Sequence, residues 1–176
     1  MTDSLTGLFN RRYFDAALEQ NFALYQRLGR RFGVVFLDID EFKAVNDTHG
    51  HVAGDEAIRF LAGVIRSNAR KMDIAARYGG DEFAIVCAVS SSAELDAYCR
   101  RLMSMLRDSV FTLGDDVRLT LTVSAGASMV DRDDADERAV LVRADSGLYQ
   151  SKRAGRDRHS VVLAPAGISG AATPLA

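Results

Sequence analysis

Apolar residues recur near the start of the chain at steps of mostly three and four: Tyr13, Phe14, Ala17, Leu18, Phe22, Leu24 and Leu28. That spacing predicts an amphipathic helix from Asn10 to about Arg30, with Asn10 as its N-cap. The pattern then changes to an uninterrupted apolar run, Gly33-Val34-Val35-Phe36-Leu37-Asp38-Ile39-Asp40, which suits a strand buried on both faces. Glu41 to Asp47 reads as a short helix, Thr48 to Asp55 as a polar loop punctuated by glycine, and about Gly54 to Arg70 as a second long helix. Ile74-Ala75-Ala76 and Phe83-Ala84-Ile85-Val86-Cys87 are strand-like runs on either side of Arg77-Tyr78-Gly79-Gly80-Asp81-Glu82, a tight hairpin in which glycine would supply positive φ.

A third helix starts at Ser91-Ser92 and carries Leu95, Tyr98, Leu102, Met105 and Leu106 on one face. Gly114-Asp115-Asp116 is a turn signal, and Leu119 to Gly126 is a β-rich strand. Asp131 to Asp136 reads as a solvated acidic loop. A final helix from about Glu137 to Arg153 has Leu141, Ala144, Leu148 and Tyr149 as its expected buried stripe. Val161-Val162-Leu163 closes the sheet. From Ala164 the composition turns to Ala, Gly, Ser and Pro, so residues 1–163 are expected to form the domain and 164–176 a flexible tail.

Composition narrows this little. At 176 residues, with 48% apolar and 26% charged side chains, the chain is one ordinary globular domain. A net charge of −2 gives no general pull toward nucleic acid polymers or membrane surfaces, so any phosphate binding must come from locally placed cations. Cys87 and Cys99 lack metal-ligand spacing and fall in apolar surroundings, as inert core thiols do. No apolar run reaches membrane-spanning length and no signal-peptide pattern opens the chain. A soluble domain in a reducing cytoplasm is the expectation.

The candidate chemistry is concentrated at element ends. Asp38 and Asp40 flank Ile39, so strand alternation points both to one side, and carboxylates at the carboxyl end of a buried strand are well placed for a ligand-bound metal. Asp81 and Glu82 beside the hairpin tip suit a hard cation such as magnesium. Asn46 and Asp55 together offer an amide and a carboxylate to a base edge, although capping would account for either alone. His49 and His51 lack a third histidine or a cysteine, so loop hydrogen bonding is the simpler reading. Asp3 and Thr6 have turn and cap chemistry. Arg70 and Asp73 could present a planar fork and an acceptor to a phosphate or guanine edge, although the helix dipole alone would place cations there. Lys152, Arg153, Arg156 and Arg158 end the last helix around Ala154-Gly155, where Lys152 and Arg156 could reach a triphosphate from one side.

These residues, in this order and spacing, resemble the GGDEF family, the diguanylate cyclase domains of bacteria. The resemblance runs from Asp3 to about Leu163. It rests on Asp3-Ser4-Leu5-Thr6-Gly7-Leu8-Phe9-Asn10-Arg11-Arg12, Asp38-Ile39-Asp40-Glu41-Phe42-Lys43, Asn46-Asp47-Thr48-His49-Gly50-His51 with Gly54-Asp55, Arg77 to Phe83, and Tyr149 to Arg158. It implies an α/β sandwich: one mixed, mainly antiparallel sheet flanked by helices, similar to the palm and nucleotidyl cyclase fold. It also implies that two GTP molecules, one on each of two domains, condense to cyclic di-GMP with loss of two pyrophosphates.

By the same resemblance, Asp38, Asp81 and the main-chain carbonyl of Ile39 hold two Mg²⁺ per site, with Mn²⁺ a possible substitute. Asp81 is also the family's proposed base, Glu82 a secondary electrostatic contributor, and Lys43 a stabiliser of transition-state charge. Asn46 and Asp55 would read guanine, His51 would line the nucleotide pocket, and Lys152 and Arg156 would hold phosphates. Arg70 and Asp73 fall where many members carry a product-binding inhibitory site, to which Arg101 could add a second arginine. Asp157 and Ser151 stand where asparagine and alanine are common, and neither is a ligand position. No receiver, membrane or coiled-coil sensor segment precedes Asp3 in this chain, so it is expected to be a weak, largely monomeric catalyst by itself, a fragment of a longer protein whose upstream sensor domain is absent here. Two rivals remain: a catalytically silent receptor for cyclic di-GMP, and a GTP-binding domain that regulates a partner without turnover.

Overall fold

The computed structural model describes residues 1–113 and 117–165. In chain order the elements are β1 (Phe9–Asn10), α1 (Arg11–Leu28), β2 (Gly33–Ile39), α2 (Phe42–His49), α3 (His51–Asn68), β3 (Ile74–Arg77), β4 (Glu82–Cys87), α4 (Ser92–Asp108), β5 (Phe111–Leu113), β6 (Val117–Leu119), β7 (Val123–Met129), α5 (Glu137–Arg153) and β8 (His159–Val161). Six strands form one mixed sheet in the order β1-β3-β4-β2-β7-β8, and β5 pairs with β6 separately. The β2 strand lies at the centre, antiparallel to both β4 and β7, while only the edge pairs β1–β3 and β7–β8 are parallel. The expected architecture, a mixed and mainly antiparallel sheet flanked by helices, is the one observed.

The β2 run is buried at every position because helices cover both faces of the sheet. Val34 and Phe36 pack with Phe14, Leu18 and Phe22 of α1 and with Val140, Ala144 and Leu148 of α5. Val35, Leu37 and Ile39 pack on the other face with Leu61 and Ile65 of α3 and with Tyr98, Leu102 and Leu106 of α4. Strand alternation therefore sends Asp38 toward α5, with Val34 and Phe36. Cys87 and Cys99 are free and buried in the α3/α4 layer, where burial pushes both thiols up, Cys99 to about 12.

Caps fix the helix starts. Asn10 accepts from Tyr13 N–H at α1, Ser91 from Glu94 N–H at α4, and Asp136 from the N–H groups of Arg138 and Ala139 at α5. Several expectations are corrected. Thr48 to Asp55 is a helical corner, not a loop: Gly50, at φ 84°, ends α2 and starts α3 with no intervening residues. The strand expected over Leu119–Gly126 is split at 120–122: Val117–Leu119 pairs with β5, while Val123–Met129 pairs with β2, whose register is carried one step further by the Asp40 N–H to the Thr122 carbonyl at 3.0 Å.

The acidic loop is only partly solvated. The Asp134 carboxylate is buried against the guanidinium of Arg143, and Asp136 caps α5. The buried stripe of α5 runs through Val140, Ala144, Gly147, Leu148 and Ser151, whereas Tyr149, one position round the helix, is 61% exposed. The small residues in that stripe let the helix lie close to β7, and Ser151 Oγ reaches the carbonyl of Ala125 at 2.7 Å. The closing strand is His159–Val161, with Val162 N–H adding one further bond to Ala127 O. The turn expected at Gly114-Asp115-Asp116 and residues 166–176 of the expected tail lie outside the described residues.

Candidate active site and inhibitory site

The sheet brings the predicted carboxylates together at one end. In the β2–β4 register Asp38 lies directly opposite Glu82, and the backbone N–H of Ile39 reaches the carbonyl of Asp81 at 3.4 Å. Asp38 is buried, and Lys152 on the last turn of α5 places its Nζ 3.0 Å from Asp38 Oδ2. Burial pushes the Asp38 carboxyl up; Lys152 opposes the rise, and the charges of Asp81 and Glu82 add to it. The cluster thus carries more negative charge than its lysine neutralises. Ile39 itself is a core residue with its side chain in the α3/α4 layer.

The hairpin tip is built differently from the expectation. Neither Gly79 nor Gly80 occupies the left-handed region. A Cβ at Gly79 would sit 2.4 Å from Glu82 Oε2, so a larger residue there would displace the Glu82 carboxylate. The N–H groups of Tyr78 and Gly79 both point at the carbonyl of Glu82, at 2.8 and 3.2 Å. Arg77 donates two bonds to the carbonyl of Gly80 and pairs with Asp3, whose carboxylate also holds Thr6. Asp3 and Thr6 therefore do the expected turn chemistry, and through Arg77 they also brace the hairpin tip.

The α2–α3 corner gathers the nucleotide candidates. Asn46 Oδ1 sits where a Cβ on Gly54 would lie only 2.0 Å away, so the amide packs against the first turns of α3, which also carry His51 and Asp55. Lys43, His51 and Asp55 are exposed. At the far end of α5, Arg156 Nε pairs with Glu41 Oε1 at 3.1 Å. Glu41 (φ 54°), Arg156 (φ 62°) and Asp157 (φ 45°) are the described non-glycine residues in the left-handed region. Such conformations cost about 1–3 kcal/mol each and persist where the surroundings over-determine them. They lie together at the end of β2, where Arg156 pairs with Glu41 and the Asp157 N–H meets Asp40.

Among the described residues, no group of three or more His, Cys, Asp or Glu side chains converges as a ready-made cation cage. The donor set nevertheless fits a hard divalent cation. It is all carboxylate and carbonyl oxygen, it carries excess negative charge, and Mg²⁺ commonly takes only one or two protein carboxylates plus substrate phosphates.

Arg70 and Asp73 lie at the other, open end of the β3–β4 hairpin. Asp73 accepts from Arg70 N–H at 2.7 Å and from Ala88 N–H at 3.2 Å, and Arg70 Nη1 pairs with Glu94 Oε1 at 3.0 Å. Arg101 is directed inward on its own chain, donating to Asn68 Oδ1 and to Asn68 O. Beneath these, Asn68 Nδ2 and Tyr98 Oη are buried without a partner among the described residues. Sequence reasoning did not single out Glu94, Asn68 or Tyr98 as part of this cluster. Only Glu94 carried a local signal, its place three residues after the Ser91 cap.

A mixed sheet between two helical layers, with carboxylates at the end of its central strand and in the adjoining hairpin, is the arrangement of nucleotidyl-transferring cyclase domains. The chain belongs to the GGDEF family: the family model described as "Diguanylate cyclase, GGDEF domain" matches residues 1–158. It is 41% identical over 164 residues to the diguanylate cyclase DgcP of Pseudomonas aeruginosa, covering 92% of this chain and 24% of that protein. To the response regulator PleD of Caulobacter vibrioides it is 37% identical over 158 residues, covering 89% of this chain and 35% of PleD. The crystal structure of the GGDEF domain of DgcB from Caulobacter crescentus in complex with c-di-GMP superposes with a TM-score of 0.86 at 35% identity, over 92% of this chain and 94% of that one. The chain thus spans about a quarter to a third of the curated relatives it matches.

Proposed function

We propose that this domain is a Mg²⁺-dependent diguanylate cyclase that condenses two GTP molecules into cyclic di-GMP and two pyrophosphates. Two domains act face to face, each presenting one GTP. In each half-reaction a ribose 3′-oxygen attacks the α-phosphorus of the other nucleotide, a P–O bond forms, and pyrophosphate leaves with the bond electrons. The observation that carries this reading is the Asp38 cluster, where Glu82 stands opposite a buried strand-end carboxylate and Lys152 reaches in from α5.

The roles follow from chemistry and place. Asp38, Asp81 and the Ile39 carbonyl would hold the cations, which supply charge neutralisation at the phosphates and acidify the attacking hydroxyl. Asp81, at the hairpin tip, takes the proton of the 3′-hydroxyl, with Glu82 adding to the field. Lys43 on α2 faces the charge that develops on the phosphoryl oxygens. Asp55 accepts from guanine N1–H and N2–H₂, donors that adenine lacks, and the Asn46 amide meets a donor and an acceptor at once. His51 lines the same pocket, and Lys152 and Arg156 exchange Asp38 and Glu41 for phosphate oxygens when the nucleotide arrives. Such catalysis is mainly positioning and electrostatics.

Product is also read as inhibitor. Arg70 and Asp73, with Arg101 of α4, are the proposed cyclic di-GMP site. The domain is taken as residues 1–163, in the cytoplasm, under an upstream sensor module; among the described residues no helix is long and apolar enough to cross a membrane. The receptor reading has in its favour only the Arg70–Asp73 cluster, and it leaves the Asp38 cluster without a purpose.

Turnover of GTP with Mg²⁺, measured at rising protein concentration with products separated by chromatography, tests the proposal. Cyclic di-GMP should form more than linearly with protein and fall as cyclic di-GMP is added. Asp81→Ala should abolish product while cyclic di-GMP still binds at the Arg70 site. Turnover retained by that variant would remove Asp81 from the chemistry. No product from the wild type, even fused to a strong dimeriser, would leave the receptor.

A further inference from the structure

By spacing alone Asp40 is as good a cation candidate as Asp38, yet its carboxylate is already engaged. Its Oδ1 accepts from Ser124 Oγ at 2.6 Å, and its Oδ2 from Thr122 Oγ1 at 2.9 Å and from the backbone N–H of Asp157 at 3.0 Å. The residue is 6% exposed. These partners come from the start of β7 and from the loop after α5, so Asp40 ties three segments at the end of the sheet.

The loop after α5 is the strained one. Gly155, Arg156 and Asp157 follow one another at φ 112°, 62° and 45°. Two consecutive non-glycine residues in the left-handed region need outside restraint, and the restraint converges on Asp157. From inside the site Asp40 takes its N–H. From outside, Arg107 of α4 donates Nη2 to its carbonyl at 2.7 Å and Nε to its carboxylate at 3.2 Å. Arg156, the neighbouring residue, has its side chain directed to Glu41 at the entrance of α2.

We propose that Asp40 is a positioning residue and not a cation ligand: together with Arg107 it clamps Asp157 and thereby fixes where Arg156 presents its guanidinium to the nucleotide triphosphate. The proposal rests on the reading of Arg156 as a phosphate residue. Asp40→Asn keeps the size and one acceptor while removing the charge, so the bond to Asp157 weakens and the loop relaxes. Arg107→Ala loosens the same loop from the far side without touching the site.

The test uses a non-hydrolysable GTP analogue titrated calorimetrically, Mn²⁺ binding followed by electron paramagnetic resonance without nucleotide, and hydrogen exchange at the Asp157 amide. Asp40→Asn should weaken analogue binding by about tenfold, the scale of one lost charge-assisted bond. It should speed Asp157 exchange and leave Mn²⁺ binding unchanged. Arg107→Ala should weaken analogue binding to a smaller degree, also with Mn²⁺ binding unchanged. Adding Arg156→Ala to either variant should cost no more than Arg156→Ala alone, because all act through one guanidinium.

If Asp40→Asn weakens Mn²⁺ binding as Asp38→Asn does, Asp40 is a ligand and the proposal fails. It fails equally if exchange at Asp157 quickens while analogue affinity holds. Should Asp40→Asn not fold, Arg107→Ala decides, and an unchanged analogue affinity there overturns the clamp. A wild type that does not bind the analogue at all overturns the substrate reading itself, a result separate from any difference between variants.

Discussion

At the end of β2, Asp38 pairs with one lysine while Asp81 and Glu82 add like charge nearby, and burial and that like charge push Asp38 up. At the open end of the β3–β4 hairpin, Arg70, Asp73 and Glu94 are matched, each carboxylate meeting backbone N–H groups or a guanidinium. There the effect on protonation is reversed: Glu94, through its bonds to Ser90 and then Arg70, is held down to about 2. The first cluster carries unfavourable charge; in the second the charged groups are paired and help to close the hairpin. Stability and ligand binding should therefore separate at the first and coincide at the second.

Asp38→Asn should show the largest separation. Turnover should fall by about 10²–10³-fold, the scale of losing one preorganised electrostatic contact. Stability at neutral pH should rise in the same variant. A carboxyl with a raised folded pKa binds its proton more tightly in the native state, so its favourable contribution is complete below the ordinary carboxylate range and is lost as pH rises through the raised value. Above that value the ionised group opposes folding, and the neutral amide removes the penalty, so Tm should rise. The difference should vanish in acid. A Tm that falls at pH 7 would mean that the pair with Lys152 outweighs burial.

Asp73→Ala is the complementary case. It removes the acceptor for the N–H groups of Arg70 and Ala88 together, which should cost about 1–2 kcal/mol. Tm should drop by about 2–8 °C. Cyclic di-GMP inhibition should be lost while uninhibited turnover, measured below the new Tm, stays near that of the wild type. Thermal melts and inhibition curves on one preparation check both. Lost inhibition with an unchanged Tm would show that the Asp73 clamp carries no stability.

Much of this was legible along the chain. The Asn10 and Ser91 caps, the buried run of β2, the hairpin and the bounds of α5 all follow from local chemistry. The helical corner at Gly50 was not, because His49, Gly50 and His51 read as a polar loop until one left-handed glycine is allowed to join two helices. Nor was the break at 120–122, where alternation continues but the segments on either side pair with different strands, β5 before it and β2 after it. The site positions were readable from motif order. Their present partners, Lys152 on Asp38, Arg156 on Glu41 and Arg101 on Asn68, depend on distant elements that no local pattern reports.

The smallest expected effect is at Glu94. Its carboxylate accepts from Ser90 N–H and Oγ and pairs with Arg70, all near solvent, and exposed pairs of this kind contribute little to stability. Because its folded pKa is depressed, whatever it adds is present above the usual glutamate value of 4.5 and is lost as pH falls toward about 2. Glu94→Gln should therefore lower Tm slightly at pH 7, with the gap to the wild type closing between pH 4.5 and 2. Added salt should narrow the gap at pH 7, since the Arg70 pair is screened. A gap that persists undiminished at pH 2 would assign the effect to lost packing or to the α4 cap, and would leave Arg70 held by the carbonyl of Ala88 alone.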